Sequence, residues 1–226
     1  HQGEFGSSRY GAEKTMKVLC AVDGSPSSDA AVRLLGLLAA HDDDAFVLYY
    51  SPPHVSVRGA SVPDRSVLED TRRALIDRVL GHAHSLLPEH LRSSCTDVIG
   101  HQKPRMGIIA AAKIHRPDVI AVGARGVNVF GLPRLGSVSR AVVHSSEVPV
   151  LVARERSRTE TDPLRILLCC DRTEFSSETA KFLGKLAFPD SAVGQVMHVV
   201  ESLFGEGIPD WLEEEARRAK SDPIAK

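Results

Sequence analysis

Residues 118–143 read DVIAVGARGVNVFGLPRLGSVSRAVV. Asp118–Val122 is a near-continuous apolar run, the pattern of a strand covered on both faces. A glycine-rich loop follows, and residues 137–146 read as a short helix. Gly123 and Gly126 have two residues between them, and nine more separate Gly126 from Gly136-Ser137. Without a Cβ, Gly123 and Gly126 are expected to turn the chain with φ > 0 and let the backbone approach a ligand. Gly136 and Ser137 open the helix, whose free N–H groups and positive end favour an anion. The Ser137 hydroxyl can add a hydrogen bond to a phosphate oxygen.

The same alternation of short apolar runs and amphipathic stretches holds from Met16 onward. Lys17–Val22 is a first strand, ending at Asp23-Gly24-Ser25-Pro26. Ser25 reads as a helix N-cap and Pro26 as the first helical residue, where its missing N–H is harmless. The helix behind them sets Ala31, Leu34, Leu35 and Leu38 on one face. Ala45–Tyr50 is a second strand, stopped by Ser51-Pro52-Pro53, with a polar loop over 54–63. A long helix over about Asp64–Leu87 turns Leu75, Ile76, Val79, Leu80 and Ala83 inward. A third strand lies near Ser94–Gly100. Pro104 opens a helix to about Ile114 with Met106, Ile109 and Ala110 as its apolar side, and Pro149–Val152 is a fifth strand. Strands alternating with helices predict an α/β fold, a five-stranded parallel sheet flanked by helices with right-handed connections. Ligands of such sheets sit beyond the carboxyl ends of the strands, where the strand order reverses.

Past a charged, Pro-terminated linker (155–163) the beginning of the chain recurs. VDGSPSSDAAVRLLGLLA at 22–39 aligns without a gap on CDRTEFSSETAKFLGKLA at 170–187, so Asp23 falls on Asp171 and Ser25 on Thr173. Gln195–Val200 is a further strand, and helix-like sequence runs on from Pro209. This predicts a domain over 16–154 and a partial second copy over 164–226 that lacks the glycine loop. Such a half-sheet leaves an edge and an apolar face to be covered by a partner or by missing chain. Residues 1–15 have no periodicity, and Met16 reads as a natural start, so the leader is set aside as a tag or disordered segment.

Composition narrows the function. With 28 basic and 29 acidic residues among 226, no strong field for nucleic acid is expected. No apolar run reaches the roughly 18 residues that span a bilayer, and the polar N-terminus has no signal-peptide character. Cys20, Cys95, Cys169 and Cys170 lack metal-ligand spacing and read as reduced thiols, which favours a cytoplasmic protein. Among ten histidines, the closest spacing is His82/His84 on the long helix. Two residues apart, they do not share a face, so no metal site is expected.

The G-x2-G-x9-G-[S/T] spacing, VDGS after the first strand, DVIAVGARG, GSVSRAVV and the closing PVLVA resemble the universal stress protein family over 17–153, and the resemblance resumes over 164–226. It implies a Rossmann-like sheet of the adenine nucleotide alpha hydrolase kind that binds ATP across the switch point, with Mg2+ able to accompany the phosphates. It implies a homodimer through the last strand of the first domain and a stress-response regulatory role toward an unknown protein partner. By the same resemblance Asp23, with Ala21 and Val22 beside it, contacts the adenosine part. Tyr50 closes the second strand and lines the adenine pocket, although Tyr49-Tyr50 stands where the family has His-Val. Val122, Gly123, Gly126, Gly136, Ser137 and Val138 match the ribose- and phosphate-binding positions. Hydrolysis is implied to be weak or partner-dependent. The residues agree, since no Walker lysine follows the loop and no obvious base stands beside it. Two other readings stay open. One is an interaction module that does not bind nucleotide. The other is an adenylylating enzyme of the wider superfamily, whose phosphate loop Asp23–Ser28 echoes faintly.

Overall fold

The apolar run after Met16 forms β1 (Lys17–Ala21), and the run at Asp118 forms β4 (Val119–Gly123). Both are central strands, which is why their sequences barely alternate. The computed structural model describes residues 15–39, 43–53, 65–125, 135–155, 163–171, 173–198 and 214. Around β1 and β4 stand β2 (Ala45–Tyr50), β3 (Cys95–Ile99) and β5 (Val150–Ala153), in the order β3-β2-β1-β4-β5. Every pairing is parallel. The five-stranded parallel sheet expected from the sequence is present, with its order reversing between β1 and β4.

Helices cover both faces. α1 (Pro26–Leu38) and α2 (Arg65–Leu86) enclose one core with Val18, Cys20, Leu35, Phe46, Leu48 and Leu80. α4 (Pro104–His115) and α5 (Ser137–Ser145) enclose the other with Leu19, Val47, Ile108, Ile120 and Val142. A single helical turn, α3 (Glu89–Arg92), intervenes between α2 and β3 and buries Leu91. The inward face expected for α4 needs correction. Gly107, Ile108 and Ala111 are buried, whereas Met106 is 59% exposed. Met106 is one of several apolar residues that a 3.6-residue repeat can put on either of two overlapping stripes. Packing against β2 selects the stripe carrying Gly107. Among the described residues no helix is long and apolar enough to cross a membrane.

α1 begins as its sequence predicts. Ser25 Oγ accepts the Ser28 amide at 3.2 Å, Pro26 occupies the first turn, and Asp29 adds an acidic group near the positive end. Ser25 Oγ also donates to the Arg125 carbonyl at 3.2 Å, which ties the start of α1 to the chain leaving β4. Replacing Ser25 with Ala is therefore expected to destabilise the protein by about 1–2 kcal/mol in urea denaturation, and an unchanged midpoint would refute this role.

The C-terminal described segment repeats this local design. β6 (Arg165–Cys170) and β7 (Val193–His198) pair in parallel, joined through α6 (Glu174–Leu183). Thr173 caps α6 by accepting the Ser176 amide, as Ser25 accepts that of Ser28. Asp171 Oδ1 accepts the Thr173 amide at 3.0 Å, and Asp23 Oδ1 accepts the Ser25 amide at the same distance. The Thr173 hydroxyl and amide hold the exposed Asp171 carboxyl below its usual range. Leu186 is buried in the core shared with α1, and the Ala187 amide donates to the Leu38 carbonyl at 3.0 Å. Leu167, Val193, Val196 and Met197 of this two-stranded sheet are exposed. The leader 1–14, most of the linker and the helix expected from Pro209 lie outside the described residues, Glu214 excepted.

Candidate functional site

A cleft of about 260 Å³ opens at the carboxyl ends of β1, β2 and β4. Its position at the strand-order reversal is where open α/β sheets receive ligands. The end of β1 contributes Ala21, Val22 and Asp23, while β4 contributes Val122 and Gly123, followed by Arg125. Gly136, Ser137 and Val138 enter from the start of α5. Nine of the ten residues singled out from the sequence lie among the described residues, and eight of these nine line this one cleft. Gly126 lies outside the described residues.

The start of α5 is built to leave donors free. Gly136 is the N-cap residue, and no side chain caps the helix. Its own amide donates to the Ala124 carbonyl at 2.7 Å, and the buried Ser139 hydroxyl donates to the same oxygen at 3.0 Å. These two bonds fix the helix mouth to the end of β4. The amides of the first turn lack intrahelical acceptors by construction, and they carry the positive end of the helix dipole. Ser137 is exposed at this mouth. Across the cleft Asp23 is exposed. Its Oδ1 accepts the Ser25 amide at 3.0 Å.

Two expectations require correction. Gly123 does not take a positive φ; among the described residues the one glycine that does is Gly24, at 75°. Gly123 is the last residue of β4, and a Cβ there would lie 2.7 Å from Ser27 C and Ser28 N. Its missing side chain makes room for the first turn of α1. Gly24, in turn, bends the chain between Asp23 and Ser25.

The second correction concerns Tyr50. It is 4% exposed and packs into the core beneath α1 and α2, outside the cleft lining. Burial, and secondarily the Asp23 carboxylate, push its phenol up, so it stays protonated. Strand alternation sends its neighbours Tyr49 and Ser51 to the other face, and these two line the cleft. Pro104 and Ile108, one helical turn apart on α4, join them, as do Ser28 and Ser139. Tyr49 and Ser51 could have been found by counting outward from either side of Tyr50. The α4 residues have no sequence signal beyond their i, i+4 spacing.

Tyr49 has an unusual setting. Among the described residues its buried hydroxyl has no hydrogen-bond partner. It lies 1.9 Å from where a Cβ on Gly100 or Gly107 would sit, so both glycines give it room. Burial pushes the phenol up, against a smaller lowering from Ser51. The Ser51 hydroxyl itself donates to the Gln102 carbonyl at 2.6 Å. Tyr49→Phe is expected to leave the ligand-free protein as stable or up to about 1 kcal/mol more stable, because it deletes a buried polar group with nothing to bond. A loss of stability beyond about 1 kcal/mol in denaturant titration would show that the hydroxyl has a partner.

A larger cleft of about 430 Å³ lies between α4 and α5, lined by Lys113, Arg116, Pro117, Ser146 and Glu147 among others. It faces the amino ends of β4 and β5 and receives the C-terminal ends of both helices. That end of a helix presents carbonyls, which disfavour an anion. The free amides at the start of α5 make the smaller cleft the better match for an anion.

Comparison with known proteins bears on this arrangement. A sequence model of the universal stress protein family matches residues 14–154. Among proteins with curated descriptions, none matches the chain. The fold is similar to that of the universal stress protein UspA from Lactobacillus plantarum, with 22% identity and a TM-score of 0.51 over 63% of this chain and 100% of that one. It is also similar to a universal stress protein from Archaeoglobus fulgidus DSM 4304, with 22% identity and a TM-score of 0.54 over 91% of this chain and 74% of that one. An Arabidopsis thaliana member solved with AMP bound has 22% identity and a TM-score of 0.45 over 63% of this chain and 94% of that one. Since the family model spans well over half of the sequence, the chain belongs to the universal stress protein family.

Proposed function

We propose that this chain binds ATP in the cleft at the carboxyl ends of β1, β2 and β4 and acts as a nucleotide-dependent regulatory module in a stress response. The observation that carries the reading is the uncapped mouth of α5, held by Ala124 at the strand-order reversal, with Ser137 exposed on it and Asp23 across from it. Free amides and a helix dipole suit the phosphates. The Asp23 carboxylate suits ribose hydroxyls, and the apolar wall of Val122, Ile108 and Pro104 suits a flat base. At about 260 Å³ the cleft is just below the roughly 300–1,000 Å³ of typical small-molecule sites, so part of a triphosphate would extend into solvent. Mg2+ would arrive on those phosphates.

Binding, rather than fast hydrolysis, is the activity proposed. Arg125 is the one cationic side chain among the described lining residues, and no lysine joins it to spread charge in a phosphoryl-transfer transition state. The edge position of β5 supports a homodimer formed by that strand against a second copy. The repeated Asp-cap-helix geometry supports reading 164–226 as a partial second copy behind a linker at 155–163. We also place the protein in the cytoplasm and assign its output to a protein partner.

The test is direct. Purified chain, denatured and analysed by mass spectrometry, is expected to release an adenine nucleotide, or stripped chain to take up ATP in calorimetry. A chain that carries none and gives no heat with ATP would instead be an interaction module without a nucleotide.

A further inference from the structure

We propose that His84, Cys95 and Asp97 form a binding site for a borderline-soft divalent cation of the zinc class, at the sheet edge and apart from the nucleotide cleft. Cys95 and Asp97 are two residues apart on the edge strand β3, so their side chains share a face. That face is the one α2 covers, because Cys95 pairs with Phe46 and Asp97 with Leu48, both in the core under α2. His84, near the end of α2, reaches down to them. Its Nε2 lies 2.8 Å from Asp97 Oδ1. The imidazole nitrogen, the thiol sulfur and a carboxylate oxygen all lie within 4.8 Å of one another.

Tetrahedral zinc with ordinary bond lengths holds such donors about 3.3–3.6 Å apart, so side-chain adjustments of about 1 Å or less would close the site. The donor set is selective. Magnesium and calcium prefer all-oxygen shells, whereas one sulfur, one nitrogen and one oxygen suit zinc or cobalt and leave a fourth position to water. The Asp97 side chain is 40% exposed, which gives a cation an entry path.

To bind a cation, the Cys95 sulfur must give up its proton, so binding strengthens as pH rises. Burial first, and the Asp97 carboxylate second, push the free Cys95 thiol up to about 12, so it is protonated without metal. A cation would replace that proton, which leaves to solvent as the sulfur–metal bond forms. His84 with Asp97 alone would be a partly exposed pair of little consequence, and it would give no reason for a thiol at the third corner. The sequence spacing hides this group, because its members meet through the packing of α2 on β3.

The experiment uses the full chain carrying Cys169→Ser and Cys170→Ser, which removes the two thiols of β6, titrated with Co2+ alone. The expected result is one equivalent bound with a thiolate-to-cobalt charge-transfer band. Cys95→Ser should abolish the band, and His84→Gln and Asp97→Asn should each weaken Co2+ binding by more than about tenfold. The last two positions are partly exposed, so these variants stay informative even where Cys95→Ser disturbs the core. No charge-transfer band, a band that survives Cys95→Ser, or affinities unmoved by both other variants would overturn the site.

Discussion

Ser137→Asp is expected to weaken ATP binding by about 100-fold or more while leaving the fold as stable as before, or slightly more so. The two effects have opposite signs for one reason. Ser137 is the first residue of α5, where no acidic side chain is present and no side chain caps the helix. A carboxylate there meets the positive end of the dipole and adds roughly 0.3–1 kcal/mol to helix stability. The same carboxylate occupies the position proposed for phosphate, where juxtaposed like charges cost several kcal/mol, and every 1.4 kcal/mol is about tenfold in affinity. Calorimetry with ATP and thermal unfolding of the same variant read both halves. A variant that binds ATP normally would move the phosphates away from this helix. A variant that unfolds early would mean that the mouth of α5 is not free.

Gly123→Val is expected to destabilise the protein by about 3 kcal/mol, the upper part of the usual range for overpacking. A Cβ at this position would stand 2.7 Å from Ser27 C and Ser28 N, and backbone atoms cannot rotate away as a side chain end can. Relief would require α1 to shift relative to β4, breaking the Ser25 to Arg125 bond that joins them. Gly136 is the contrast, since its nearest neighbour to an added Cβ is the Ala124 carbonyl at 3.4 Å. Urea denaturation separates the two. Equal, small effects at both positions would contradict the packing role assigned to Gly123.

These two residues also show how far the sequence could be read. The spacing of Gly123, Gly136 and Ser137 groups residues that line one cleft because it reflects a strand, a loop and a helix start, all local features. The reason for Gly123 was hidden, since the atoms it must avoid belong to a helix almost a hundred residues earlier in the chain, in the segment around Ser27. Ser25 was legible as a cap from Pro26 beside it, but its bond to Arg125 was not. Tyr50 ends β2, and its position alone points to the ligand side. Two adjacent tyrosines both suit a buried strand, and only the packing of the two helix layers decides that Tyr50 enters the core under α1 and α2 and Tyr49 the one on the cleft side. For Met106 the same ambiguity arose on α4, where Gly107 is kept small by the Tyr49 hydroxyl. His84, Cys95 and Asp97 could not be grouped from spacing, because their proximity is tertiary.

Whether the amides at the start of α5 hold phosphate can be read by amide NMR on nitrogen-labelled chain during an ATP titration. The signals of Ser137 and Val138 should move first and furthest, with Asp23 following as the ribose engages. If they stay still at saturating ATP while signals around Arg116 and Glu147 shift, the nucleotide sits in the other cleft and the account is wrong.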